Sequence, residues 1–207
     1  MEQPRLLVID GHSMAFRAFY ALPVDAMQTT TGLATNAVYG FTSMLLRLLT
    51  TEEPTHVVIA FDLPGGTFRT EQLPSYKGTR SPTPPEFEPQ IGMVEQVLAA
   101  LRIHAVSKPN YEADDVIATL TTQATREGWQ VLVASGDRDT FQLVTDDVTV
   151  LYPVRGVSQV VRMTPEEVNT KYGVPPANYP DLAALVGETS DNLPGVPGVG
   201  PKTAAKW

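Results

Sequence analysis

The sequence contains no cysteine, which excludes disulfides, thiolate zinc sites and a cysteine nucleophile. No apolar run approaches the ~20 residues of a membrane-spanning helix. The opening stretch MEQPRLLVID has no basic segment followed by an apolar one, as a secretory leader would, so no membrane association and a cytoplasmic location are the expectation. Positive charge is also short, with 15 Lys and Arg against 23 Asp and Glu and a net charge of −8. Taken alone, that balance argues against nucleic acid as a partner, because phosphate affinity comes from clustered Lys and Arg. The objection weakens if many of the acids hold metal ions and the basic residues are local.

What is present describes an ordinary globular protein: 207 residues, 43% of them apolar and 18% charged, enough for one full domain and a small second piece. The stretch Tyr111-Glu112-Ala113-Asp114-Asp115 puts three carboxylates into four positions at the start of a helix that runs through Val116, Ile117, Leu120 and Ala124. A helix N-terminus favours negative charge, so one acid there is ordinary. Three together repel by roughly 1–4 kcal/mol per pair, a cost that a bound cation offsets.

Other acids lie where such a cation site needs them. Arg5 to Ile9 reads as a buried strand delivering Asp10 at its C-terminal end, His56 to Phe61 as a second ending on Asp62, and Gln130 to Ala134 as a third running into Ser135-Gly136-Asp137-Arg138-Asp139. In open α/β sheets functional residues sit at those strand ends, although Asp10 reads equally well as a turn residue or N-cap. Asp137 and Asp139 point one way if they continue the strand. Alternatively Asp137 makes a turn and Asp139 caps a helix over Thr140 to Val144. Between the strands, Thr35 looks like the N-cap of a helix from Asn36 to about Leu49 with a core stripe of Val38, Phe41, Leu45, Leu46 and Leu49. A helix from Phe87 to Arg102 carries Ile91, Val94, Val97, Leu98 and Leu101. Strands alternating with helices imply a mostly parallel, doubly wound α/β sheet with flanking helices, and Asp10, Asp62 and Asp137 then share one edge.

Six of the eighteen prolines fall between Pro64 and Pro89, so that segment is not a regular core element. It carries Arg69, Tyr76, Lys77 and Arg80, cations and an aromatic suited to a phosphate backbone and a stacked base. Arg17 is the one charge on an amphipathic stretch from Met14 to Tyr20. Val148–Tyr152 and Ser158–Arg162 look like a hairpin, Thr164-Pro165-Glu166-Glu167 like a capping box, and Asn178 to Val186 like a further helix. Beyond it, Glu188 and Asp191 add two acids three apart. The run Gly195-Val196-Pro197-Gly198-Val199-Gly200-Pro201-Lys202-Thr203-Ala204 has the form of a glycine-rich hairpin entering a helix, a turn that lets phosphate approach the backbone.

The ordered set IDGHSMAFRAFYA, VIAFD, FRTEQLPSYKGTR, YEADD, SGDRD and GETSDNLPGVPGVGPKTA resembles the 5′-nuclease (flap endonuclease) family found at the N-terminus of bacterial DNA polymerase I, over nearly the whole chain. The resemblance implies a PIN-like catalytic unit over residues 1–173 with an arch at about 64–90, then a partial helix-3-turn-helix (helix-hairpin-helix) over 174–207. It implies a 5′-3′ exonuclease and flap endonuclease that removes 5′ flaps and RNA primers in DNA replication and repair by a two-metal mechanism. The ions would be Mg2+ or Mn2+, with K+ at the hairpin. By motif position the first metal cluster falls on Asp10, Asp62, Glu112, Asp114 and Asp115, the second on Asp137, Asp139, Glu188 and Asp191. Lys77 and Arg80 take the catalytic positions of the arch. Arg17, Arg69, Tyr76, Gly195, Gly198, Gly200, Lys202 and Thr203 join them as DNA contacts, with Tyr76 stacking on the terminal base. Partners would be DNA bearing a 5′ flap, nick or RNA primer, and a polymerase domain in the same full-length chain. Glu188 departs from the family, which places Asp there, and the end at Trp207 reads as a fragment. Two other readings compete: a junction-binding module without efficient cleavage, and a magnesium-dependent phosphatase, which explains neither the hairpin nor the basic loop.

Overall fold

Alternation along each central strand gives it two apolar faces, and both are covered. The computed structural model describes residues 3–156 and 159–207. Its elements run β1 Arg5–Asp10, α1 Gly11–Ala21, α2 Asn36–Glu52, β2 His56–Ala60, α3 Phe68–Gln72, α4 Glu88–Ala100, β3 His104–Val106, α5 Ala113–Arg126, β4 Gln130–Ala134, β5 Val148–Arg155, β6 Gln159–Met163, α6 Pro165–Tyr172, α7 Tyr179–Val186 and α8 Pro201–Ala204. The sheet order is β3-β2-β1-β4-β5-β6, parallel except for β6. Leu6, Val8, Val131 and Val133 pack on one side with Ile117 of α5, Phe141 and Val168. Leu7, Ile9, Leu132 and Ala134 pack on the other with Phe41 of α2, Phe87 and Leu98. This is the mixed α/β, mostly parallel sheet with flanking helices that the alternating pattern implies.

The register sets the geometry of the acids. Asp10 pairs with Ala60 and Ile9 with Ala134, so the C-terminal ends of β1, β2 and β4 are level. Asp62 and Asp137 lie two and three residues beyond, on the edge where Asp10 ends β1. Gly11 follows at once because the chain turns into α1 directly beneath Phe61; an added Cβ would sit 2.4 Å from that ring.

Several local expectations are corrected. On α2 the buried residues are Ala37, Phe41, Met44, Leu45 and Leu48, while Leu46 is exposed. The helix is rotated so that Ala37 and Met44 take buried places and Leu46 falls on the solvent side. Leu101 likewise faces solvent at the end of α4. Thr35 stands at the N-cap but its hydroxyl donates to Met27 O at 3.0 Å instead of capping. Residues Arg138–Leu143 form a 3-10 helix capped by Asp137, so the Asp137–Asp139 pair is carried on a turn and not on an extended strand end. The hairpin pairs β5 with β6; Ser158 lies outside the described residues, as do Met1 and Glu2.

Buried polar side chains lock the helices. Gln90 Oε1 accepts from Ala37 N at 2.7 Å and Val38 N at 3.2 Å, and its Nε2 donates to Asn36 Oδ1 at 2.9 Å and Glu86 O at 2.9 Å. Asn36 in turn donates to Phe19 O and Leu22 O. One amide therefore caps α2 and ties it to α4, while its partner ties α2 to α1. Gln90→Ala leaves these buried groups unpaired and is expected to cost roughly 2–4 kcal/mol, read as a lower urea midpoint.

Candidate active site

Each acid on the level sheet edge is held by a backbone N–H at the start of a helical element. Asp10 caps α1, its Oδ1 accepting from Ser13 N at 3.0 Å, and its Oδ2 accepts from the Ser135 hydroxyl at 2.8 Å. Ser13 Oγ accepts from Gly136 N at 2.9 Å, so the ends of β1 and β4 are bonded to each other. Asp62 Oδ1 accepts from Ala113 N at 2.7 Å and fixes the start of α5 against β2. Asp137 accepts from Asp139 N at 2.9 Å. Capping and convergence therefore coexist: each side chain uses one oxygen on the backbone and keeps its charge at the edge.

The carboxyls are not independent. Burial, reinforced by the charges of Asp10, Asp137 and Asp62 and opposed by Lys77, pushes the Asp114 carboxyl up to about 8. Burial raises Asp10 to about 6, with Asp62 and Asp137 adding to the rise. Asp139 rises to about 6 by burial and by Asp137, Asp191 and Glu188. These influences divide the acids into a group around Asp114 and a group around Asp139, with Asp137 in both. Oxygen donors in two adjoining groups, charged at a cost, fit hard divalent cations.

The proline-rich segment folds over this edge. Lys77 Nζ donates to Glu112 Oε2 at 2.9 Å. Arg69 grips Asp115 with two bonds of 2.7 and 2.8 Å, which holds the Asp115 carboxyl below the usual range. Arg80 donates to Asp191 Oδ1 at 2.7 Å and to Ser190 O at 3.0 Å. The Tyr76 hydroxyl lies 3.1 Å from Glu112 Oε2 and 3.0 Å from Asp191 Oδ2, its one proton serving one of them at a time. The backbone joins in, Lys77 N donating to Asp191 O at 3.0 Å. Among the described residues no three acids stand in ion-holding geometry. Lys77 Nζ sits over one face of the Tyr76 ring, 4.9 Å from its centroid.

Glu188 precedes a 3-10 turn over Thr189–Asp191, and its Oε1 accepts from the Ser190 hydroxyl at 2.7 Å. The hairpin is pinned by backbone contact: an added Cβ on Gly195, whose φ is 64°, would lie 2.4 Å from Val186 C. Gly198, Gly200, Lys202 and Thr203 are exposed beyond it. Arg17 stands apart from the carboxylates, its Nε donating to Gly156 O at 3.4 Å.

Two residues near the acids were not singled out from sequence. His12 accepts from Asp62 N through Nδ1 at 3.3 Å and lies 3.7 Å from Asp62 Oδ2; burial lowers its pKa, with the charges of Asp62 and Glu95 opposing. Arg138 shares a 210 Å³ depression with Arg80, Asp137, Glu188 and Ser190. It lay in plain sight between two aspartates, whereas nothing local marks His12.

Residues 5–173 match the family described as 5′-3′ exonuclease, N-terminal resolvase-like domain. The chain belongs to the 5′-3′ exonuclease family. Residues 174–207 match its C-terminal SAM fold. DNA polymerase I of Mycobacterium tuberculosis is 60% identical over 205 residues, 99% of this chain and 23% of that protein. DNA polymerase I of Bacillus caldotenax is 50% identical over 202 residues, 98% of this chain and 23% of the relative. The chain thus spans less than a quarter of these relatives. The 5′-exonuclease of bacteriophage T5, solved with divalent metal ions (zinc) bound, superposes with a TM-score of 0.74 at 20% identity, over 98% of this chain and 73% of that one. The catalytic core of Rad2 in complex with DNA substrate gives 0.60 at 20% identity, over 99% of this chain and 59% of that one. At these identities the likeness is one of fold. No helix among the described residues is long and apolar enough to cross a membrane.

Proposed function

We propose that this chain supplies the metal-dependent 5′-3′ exonuclease and flap endonuclease activity of a DNA polymerase I, removing 5′ flaps and RNA primers at nicks and junctions. The observation that carries the reading is the carboxylate edge with cations folded over it: Asp114 is held among Asp10, Asp62 and Asp137 with Lys77 close enough to oppose their charge. Asp10, Asp62 and Asp114 would hold one Mg2+ or Mn2+, with Glu112 and Asp115 beside them and Asp137 between the two sites. Asp139, Glu188 and Asp191 would hold a second. When bound, such ions activate water and neutralise the scissile phosphate.

The chain's own residues supply the rest. Lys77 and Arg80, now on Glu112 and Asp191, exchange those carboxylates for phosphate oxygens as substrate enters, adding positive charge where it develops in the transition state. Arg69 stays on Asp115 and keeps α5 oriented. The exposed Gly198–Thr203 segment meets duplex phosphates, which fixes position without reading sequence, and residues 64–90 act as the arch. A junction-binding module remains a second reading, favoured by the engagement of Glu112, Asp115 and Asp191 with Lys77, Arg69 and Arg80.

A 5′-labelled flap incubated with and without Mg2+ or Mn2+ tests the proposal. Cleavage close to the junction that EDTA abolishes is the expected result. Tight binding without cleavage in either metal would sustain the binding module and sink the nuclease.

A further inference from the structure

Three cations of the carboxylate edge are already committed: Arg69 stands on Asp115, Lys77 on Glu112 and Arg80 on Asp191. Arg138 is different. It lies between Asp137 and Asp139 in the chain, yet it forms no ion pair with either of them, or with any other acid among the described residues. The local fold explains why. Residues Arg138–Leu143 are a 3-10 helix, in which successive side chains point about a third of a turn apart. Asp137 turns back to accept from Asp139 N, Asp139 faces the charges of Asp191 and Glu188, and Arg138 diverges from both.

Aromatic rings support the diverging side chain. The Tyr152 hydroxyl, opposed by burial, raises the pKa of its guanidinium, and Tyr172 and Tyr179 add to the rise; all three rings therefore stand beside it. They are fixed to one another through Phe141, whose centroid lies 5.2 Å from Tyr152, 5.6 Å from Tyr172 and 5.6 Å from Tyr179. A planar guanidinium resting on such a floor is held in place before a ligand arrives, which lowers the entropy lost on binding.

The guanidinium opens on the 210 Å³ depression that it shares with Arg80, Asp137, Glu188 and Ser190. Two guanidiniums there balance two carboxylates, and the fork of an Arg without a carboxylate matches the paired oxygens of a phosphate. The depression also lies toward the hairpin. Glu188 and Ser190 lead within a few residues into Gly195, and Phe141, which follows Arg138 on the same turn, shares a core with Tyr179 of α7 and Ala204 of α8.

We infer that Arg138 binds the phosphodiester next to the scissile one, on its duplex side. The inference rests on the nuclease reading above and extends it, because it divides the cations by task. Lys77 and Arg80 go to the phosphate that reacts. Arg138 holds one that does not, so it sets affinity and leaves the chemical step alone.

The test uses flaps in which one phosphate, either that neighbour or the next one along the duplex, is replaced by an uncharged methylphosphonate. Single-turnover rates are measured in Mg2+ at subsaturating and saturating protein, and affinities by fluorescence anisotropy in Ca2+. Neutralising the neighbour is expected to weaken binding by the unaltered protein, and slow it at subsaturating concentration, roughly fivefold, with no change at saturation. Arg138→Ala should lose the same factor on the native flap, with its salt slope reduced by about one, and should lose nothing more on the neutralised flap. Arg138→Gln, which keeps the stem on the aromatic floor, should behave like Arg138→Ala. Lys171→Ala is the control, since its Nζ sits 5.5 Å from the Tyr152 centroid but does not line the depression; it should keep the full effect of neutralisation. Equal behaviour of the unaltered protein on native and neutralised flaps overturns the inference. So does an effect that survives in both Arg138 variants, one that vanishes in Lys171→Ala, or one that appears only at the next phosphate along. If no protein cuts any flap, the nuclease reading fails, and the anisotropy measurements alone decide whether Arg138 holds this phosphate.

Discussion

Asp114→Asn is expected to lower the single-turnover rate of flap cleavage by about 10³-fold, and at the same time to make the metal-free protein more stable. The first effect follows from removing one charged oxygen donor from a site whose chemistry is electrostatic. The second follows from where Asp114 sits. Its carboxyl is raised to about 8 by burial first, and then by Asp10, Asp137 and Asp62. The sign is set by proton binding. Between about pH 4 and pH 8 the unfolded chain has released this proton while the folded chain still holds it, so stability falls as pH rises through that window. Asp10 and Asp139, raised to about 6, contribute their share between about pH 4 and pH 6. The mutant should keep part of the lower decline and lose the upper one. In EDTA at pH 8, where the difference is fully developed, it should melt roughly 4–8 °C above the unaltered protein, the shift of a gain of ~2 kcal/mol. Melting curves from pH 5 to pH 8, with and without divalent metal, measure this directly. A mutant less stable than the original at pH 8 in EDTA would show that the edge is not a site of uncompensated charge.

The parts of this edge differ in how far local sequence carries them. The level ends of β1, β2 and β4 were legible because a short β-branched run that stops on Asp is a local signal. Asp10, Asp62 and Asp137 stand on one sheet edge for that reason. The capping role of Asp10 was legible as one of its two readings, since the residue it caps follows three positions on, whereas the cap expected at Asp139 falls on Asp137, which accepts from Asp139 N. Pairings between distant segments were not. Nothing around Arg69 marks Asp115, 46 residues away, as its partner, and nothing around Arg80 marks Asp191, 111 residues away. Such choices depend on how the proline-rich segment folds over the edge, a tertiary event with no period to read. The outward turn of Leu46 has the same origin, because helical spacing gives a stripe but its rotation is decided by what α1 and α4 offer it. Ser13 and Ser135 join the ends of β1 and β4 through Asp10 and Gly136, yet each looks like a turn residue when read alone.

Lys77→Ala is expected to lower the single-turnover rate by about 10²-fold at saturating protein, with a small loss of affinity for the flap. Two features of this position make the experiment decisive. Lys77 has φ 57°, a left-handed conformation that costs a residue with a side chain about 1 kcal/mol or more relative to glycine. Its backbone N–H donates to Asp191 O and its Nζ to Glu112 Oε2, so the backbone bend holds the Asp191 main chain while the side chain holds the Glu112 carboxylate. Substitution by Ala removes the ammonium and keeps the strained bend, whereas Lys77→Gly removes both the ammonium and the strain. If the charge on the phosphate is what matters, the two variants should be slowed alike. If Lys77 mainly shapes the arch, Gly should be far the better enzyme. Loss of a single phosphate contact has another signature, an affinity change with the salt slope reduced by about one and an unchanged rate at saturation. Rates and affinities of the three proteins, measured on one flap at two salt concentrations, separate these outcomes. Equal saturating rates for Lys77→Ala and the unaltered protein would remove Lys77 from the reaction and leave it as a latch that holds the arch on Glu112.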